Sequence, residues 1–123
     1  MKTLSLWQPW ATAIAVGSKR IETRHWSTHY RGPLAIHAAK RWQQDQKDFA
    51  ATERALGRMP DRIPLGAIIA VCDLVDVRPA EELALTVSAL ERLYGNYAPG
   101  RFGWVLENVR AIDPIPCVGH QGL

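Results

Sequence analysis

The sequence predicts an α+β fold: a small mixed β-barrel of about five to six strands with about three helices packed around it. Two observations carry this reading. Short apolar runs rich in β-formers recur between breaks marked by Gly and Pro. Segments of helical spacing alternate with them, so the order of elements is mixed. A chain of 123 residues is sized for one domain, expected to span 1–123. At 47% hydrophobic and 22% charged, it has the composition of a globular protein.

The elements follow in order. Residues 2–7 read as a strand. Pro9 suits a first helical turn, and Trp10, Ala13 and Ile14 give an apolar helical face that ends at Gly17. Residues 20–25 read as a strand, on which Arg20, Glu22 and Arg24 share one face and Ile21 and Thr23 the other, with Lys19 at the turn. Residues 26–31 form a loop rich in aromatic and hydrogen-bonding groups, and 33–39 an apolar strand after Gly32-Pro33. Residues 40–56 carry helical spacing, with Trp42, Phe49 and Leu56 seven apart and Gly57 as the stop. Residues 58–65 contain Pro60 and Pro64 and read as loop. Residues 66–77 form a long strand. Pro79 opens another helix, with Glu81 and Glu82 favoured in its first turn by the helix dipole and Leu83, Val87, Leu90 and Tyr94 on its buried side. After a loop at 95–100, residues 102–112 form a strand, and Pro114-Ile115-Pro116 leads into a short last one.

The formal net charge is only +3, but it is unevenly placed. Lys2, Lys19, Arg20, Arg24, Arg31, Lys40 and Arg41 crowd the first third, where Glu22 is the single acid. A one-sided basic surface follows, compatible with a nucleic-acid or nucleotide partner. Cys72 sits in an apolar run and reads as a small buried hydrophobe, whereas Cys117 follows Pro116 near the end; nothing points to a secreted disulfide framework. The opening residues lack a signal-peptide core and no apolar run reaches membrane length, so a cytoplasmic location is expected.

The chemistry-bearing residues gather at Gly17-Ser18-Lys19-Arg20-Ile21-Glu22-Thr23-Arg24. Lys19 can pair with a phosphate or, if desolvated, act as a base; equally, it can be a lysine favoured at a helix end. Glu22 can accept from a base amino group while Arg24 binds phosphate or orients Glu22, or the two can simply pair with each other. Among five tryptophans, Trp7 and Trp104 read as core strand residues and Trp42 as a buried helix residue. Trp10 and Trp26 flank the charged segment and could stack on a base, and Tyr30 and Arg31 could extend that wall. His25 and His29 have a spacing found in metal sites, but no cysteine or second close carboxylate completes a ligand set. No Gly-rich phosphate loop, nucleophile elbow or glycosidase-like carboxylate pair is present, and neither cofactor nor metal is expected.

At these residues the chain resembles the ASCH domain family of the PUA-like superfamily of small β-barrels. Gly17, Lys19, Glu22 and Arg24 fill its Gly-x-Lys-x-x-Glu-x-Arg motif, preceded by Ser5-x-x-Gln8-Pro9-Trp10-Ala11. The likeness continues at 31–39, 66–70, 102–108 and 119–123. It implies a PUA-like barrel that holds RNA, a nucleotide or a modified nucleoside in a cleft beside the motif, through Lys19, Glu22, Arg24, Trp26, Tyr30, Arg31 and Trp10. A second implication is an amidohydrolase acting on acylated cytidine-type nucleosides, as in some bacterial ASCH proteins that use a threonine, a lysine and a glutamate. Lys19 matches that lysine, but Glu22 stands where their threonine is, with Thr23 one residue away and turned to the other face. Glu81, Glu82 or Glu91 falls in the region of their glutamate. Were the protein an enzyme, Lys19 and Glu22 would be its catalytic pair, with Glu22 activating water. A ribonuclease is a third, weaker implication.

Overall fold

The structure, a computed structural model, describes residues 1–119 and 122–123. Its frame is one five-stranded mixed sheet made of β1 (Lys2–Leu6), β2 (Ile21–Arg24), β3 (Gly32–Ala38), β4 (Ala67–Pro79) and β5 (Phe102–Pro116), in the order β1-β3-β4-β5-β2. β1 lies parallel to β3; the other pairings are antiparallel. The sheet curls strongly into a half-barrel. Its long strands explain the bend. The β4–β5 register shifts at Ile68/Ala70, Val71/Asp73 and Leu74/Asp76, and β3–β4 shifts between Ile36 and His37. Each such bulge bends the strand and adds local twist.

The curl brings the two edge strands, β1 and β2, toward each other, and α1 (Trp10–Ala15) plugs the space inside, touching β1, β3, β4 and β5. Its residues are buried on both sides. Ala11 and Ile14 join Leu4, Leu6, Leu34, Ile36, Leu74, Trp104 and Leu106 in the main core. Ala13 joins Met59 and Tyr94 in a second cluster beneath α2 (Gln44–Ala55) and α4 (Ala89–Leu93). Buried Gln8 fixes the start of α1: Thr12 N–H donates to its Oε1, and its Nε2 donates to Thr12 Oγ1 and Pro64 O. Buried Gln46 ties α2 to the same place, donating to Gln8 O and Arg41 O.

Several expectations change. The 40–56 helix begins only at Gln44, leaving Trp42 outside it, because Gln43 is extended and caps α2 while Gln46 holds the preceding backbone against Gln8. The helix expected after Pro79 is two: α3 (Ala80–Leu83) and α4, with Ser88 Oγ accepting the Glu91 N–H to start the second. β5 runs on through Pro114 to Pro116 as one strand, pairing with Ala67 and Ile68 of β4. Beyond Val105 it has no β2 partner, so its outer side is an edge, where a proline lacking an N–H is tolerated. The short strand expected after Pro116 falls at 117–123; of these, 120 and 121 lie outside the described residues and the others carry no strand. No helix is long and apolar enough to cross a membrane among the described residues.

Candidate functional site

The seam between β1 and β2 is where the sheet does not close on itself, and two clefts open along it. The smaller, about 490 Å³, is lined by Trp10, Glu22, Thr23, Tyr94, Asn96 and Arg101, among others. The larger, about 800 Å³, is lined by Trp26, His37, Lys40 and residues 117–119, among others. Ser5, Trp7, Arg24 and His25 line both. Both volumes fall within the roughly 300–1,000 Å³ of small-molecule sites.

Strand alternation places the motif residues. On β2, Ile21 and Thr23 are buried while Glu22 and Arg24 face the seam. Glu22 Oε1 is 3.4 Å from Lys19 Nζ and accepts the Thr23 N–H at 3.2 Å. Its Oε2 is 3.0 Å from Arg24 Nε, a close ion pair whose N–H is too poorly aligned to count as a hydrogen bond. A carboxylate oxygen accepts two hydrogen bonds, so Oε2 keeps spare capacity for a ligand. Arg24 Nη2 donates to Ser5 O at 2.5 Å, linking β2 to β1 across the seam.

Lys19 is not at the cleft surface. It is 0% exposed, and its ammonium donates to Ile21 O at 2.6 Å and Tyr94 O at 2.9 Å, with Glu22 beside it. It braces the Glu22 carboxylate from beneath. Arg20 precedes β2 and lines a different hollow, with Ser88, Glu107 and Asn108, so it leaves the face it was expected to share with Glu22 and Arg24. Trp26 lines the larger cleft, with its ring edge-on to Trp104 at 4.8 Å. Trp10 lines the smaller one and stacks on Phe49. Tyr30 and Arg31 line neither: Tyr30 O–H donates to Pro33 O, and Arg31 donates to Thr28 O and Tyr30 O. They brace their own loop.

Of the glutamates that could have joined the motif, Glu91 is buried and accepts the N–H groups of Arg20 and Ile21, which fixes the start of β2. Glu81 and Glu82 are exposed on α3 and line neither seam cleft. Thr23 Oγ1 accepts the Asn96 N–H.

The structure adds residues that the sequence reading missed. Trp7, expected in the core, is 54% exposed on the wall common to both clefts, with the Arg41 guanidinium 4.1 Å over its ring. The signal was available: with Leu4 and Leu6 inward, period-two alternation turns residue 7 outward. His37 is buried at the larger cleft, Nδ1 3.0 Å from Ser5 Oγ and Nε2 2.9 Å from Cys117 O. Gly119 packs so close that a Cβ would lie 2.4 Å from His37 Cε1 and 2.6 Å from Ser5 Oγ.

A small α+β half-barrel with a charged, aromatic-walled seam is thus the class of protein that fold and site define. Residues 4–116 match the ASCH domain, and the chain belongs to that family. Activating signal cointegrator 1 of Homo sapiens is 38% identical over 79 residues, covering 59% of this chain. The Mus musculus protein of the same name is 37% identical over the same length. The matched stretch is only 14% of the length of either relative. The solved ASCH structure from Zymomonas mobilis superposes with a TM-score of 0.57 at 18% identity, covering 93% of this chain and 71% of that one; this likeness concerns the fold.

Proposed function

We propose that this protein binds RNA or a nucleotide along the β1–β2 seam. The observation that carries the reading is the lining of the two clefts: cations Arg24, Lys40 and Arg101, a single carboxylate, Glu22, and the indoles of Trp7, Trp10 and Trp26. Cations suit phosphates, indole faces suit unpaired bases, and a lone carboxylate suits the amino group of a base edge. Hydrolysis of an acylated nucleoside is the competing reading. It asks for a nucleophile or base presented to substrate. The Lys19 ammonium is sealed beneath Glu22, and Thr23, at the edge of the smaller cleft, is buried with its Oγ1 accepting the Asn96 N–H, which leaves Glu22 as the base that reaches the cleft.

The test pairs binding with turnover. Short RNA should bind less tightly as salt rises, because phosphate contacts release counterions. Lys40→Ala and Arg24→Ala should each reduce the salt slope by about one unit. Trp7→Ala should weaken binding by about 1–3 kcal/mol through lost stacking. Acetylated cytidine is then offered to the wild type and to Glu22→Gln. Acetate release by the wild type, lost in the variant with binding retained, would establish the hydrolase instead. Salt-independent binding unaffected by all three alanine variants would end the seam proposal.

A further inference from the structure

We infer that the two seam clefts are consecutive subsites for one strand, one nucleotide in each, with the phosphodiester between them held by Arg24. The inference rests on the nucleic-acid reading above and goes beyond it in fixing the unit recognised.

The geometry has a repeat of its own. The clefts are adjacent, sharing a wall of Ser5, Trp7, Arg24 and His25. Each has an indole that the other lacks, Trp10 in the smaller and Trp26 in the larger. The order across the seam is therefore Trp10, a shared wall on which the Arg24 cation stands beside Trp7 and His25, then Trp26, which accommodates base, phosphate, base. Arg24 is built for the middle position. Its Nη2 is committed to Ser5 O and its Nε faces Glu22, while Nη1 donates to nothing among the described residues. The side chain is 23% exposed. A guanidinium held by one hydrogen bond and one ion pair presents Nη1 within a narrow range of positions, so a phosphate bound there pays little ordering entropy. Each cleft also has a cation away from the shared wall, Lys40 on the larger and Arg101 on the smaller, where flanking phosphates would lie. Glu22 belongs to the smaller cleft alone, which makes that the base-reading subsite, and the larger becomes the stacking subsite.

Calorimetric titration with cytidine monophosphate, the cytidine dinucleotide and the trinucleotide, whose base carries the amino group that Glu22 would accept from, tests this. Stacking of a second base is worth roughly five- to 150-fold in affinity, and the phosphodiester contact to Arg24 adds to it. The expected result is a gain of at least about tenfold from one nucleotide to two, and less than about threefold from two to three. Lys40→Ala should weaken the dinucleotide and spare the mononucleotide, which sits in the smaller cleft. A mononucleotide that binds as tightly as the dinucleotide would overturn the two-subsite inference and leave the binding function standing. Equal gains at every added nucleotide would overturn it in favour of a strand tracked along the surface. Failure of all three ligands to bind would overturn the underlying reading as well.

Discussion

Lys19 illustrates how a motif residue conspicuous in the sequence can lie beneath the cleft surface. An ammonium with no exposure keeps its charge inside a protein only if its donors are satisfied and a carboxylate is near. Ile21 O, Tyr94 O and Glu22 supply this. Removing the ammonium leaves two buried carbonyls and a carboxylate without their partner. Lys19→Met is therefore expected to cost about 3 kcal/mol in urea unfolding, while Lys40→Met, at an exposed position, should stay within about 0.5 kcal/mol. Equal unfolding midpoints for Lys19→Met and the wild type would remove the bracing role. The segment around Lys19 was legible in the sequence, because charge and alternation put Glu22 and Arg24 on one face. The depth of Lys19 was not, since its acceptors include a carbonyl at Tyr94, 75 positions along the chain.

At the scale of elements, strands were easier to read than helices. Period-two patterns and Gly or Pro breaks bound β1, β3 and β4 to within a residue or two, because each strand's alternation is set locally by burial on one face. Helical spacing misled where a tertiary contact ended a helix early. The Trp42–Phe49–Leu56 repeat looked like one face, but Gln46 pulls the chain before Gln44 toward Gln8. Between α3 and α4 the signal existed and was passed over: Ser88-x-x-Glu91 is the pattern of a new helix start. The packing of α3 on the sheet also depends on one missing side chain. A Cβ on Gly103 of β5 would fall 2.4 Å from Leu83 Cδ1 and 3.1 Å from Ile21 Cγ2. Gly103→Ala must displace the Leu83 side chain or shift α3 or β2, at about 1–3 kcal/mol for an overpacked contact. Thermal unfolding measures it; a variant as stable as the wild type would show that the Leu83 side chain yields without cost.

Across the whole molecule, one polar chain joins the helical side to the seam. Arg58 donates to Glu53 on α2 at 3.1 and 2.7 Å, Tyr94 O–H donates to Glu53 Oε1, Tyr94 O accepts from Lys19, and Lys19 leads through Glu22 and Arg24 to Ser5 on β1. No sequence pattern links positions so far apart, which is why this path could be read only from the fold. It sets a pH window for stability. The Glu53 carboxyl is held below its usual 4.5, chiefly by the Arg58 hydrogen bond and also by the Tyr94 hydroxyl, against the opposing effect of burial. Its folded state thus binds a proton less readily than the unfolded chain does. The stability it contributes is complete above 4.5 and is lost as pH falls through the lower folded value. Tyr94 is pushed up from 10 to about 12, first by burial and then by the hydrogen bond to Glu53. Here the folded state holds the proton more tightly, so the contribution is complete below 10 and disappears as pH rises toward about 12. Tyr97, raised mainly by burial, adds to the same alkaline fall. Urea midpoints measured across pH should therefore form a plateau with a decline at each end. Glu53→Gln removes the charge that Arg58 holds and part of what raises Tyr94. It should flatten the acid limb markedly and the alkaline limb partly, whatever its effect on the plateau height. An acid limb of unchanged slope in Glu53→Gln would mean that other carboxylates, and not Glu53, govern the protein's response to acid.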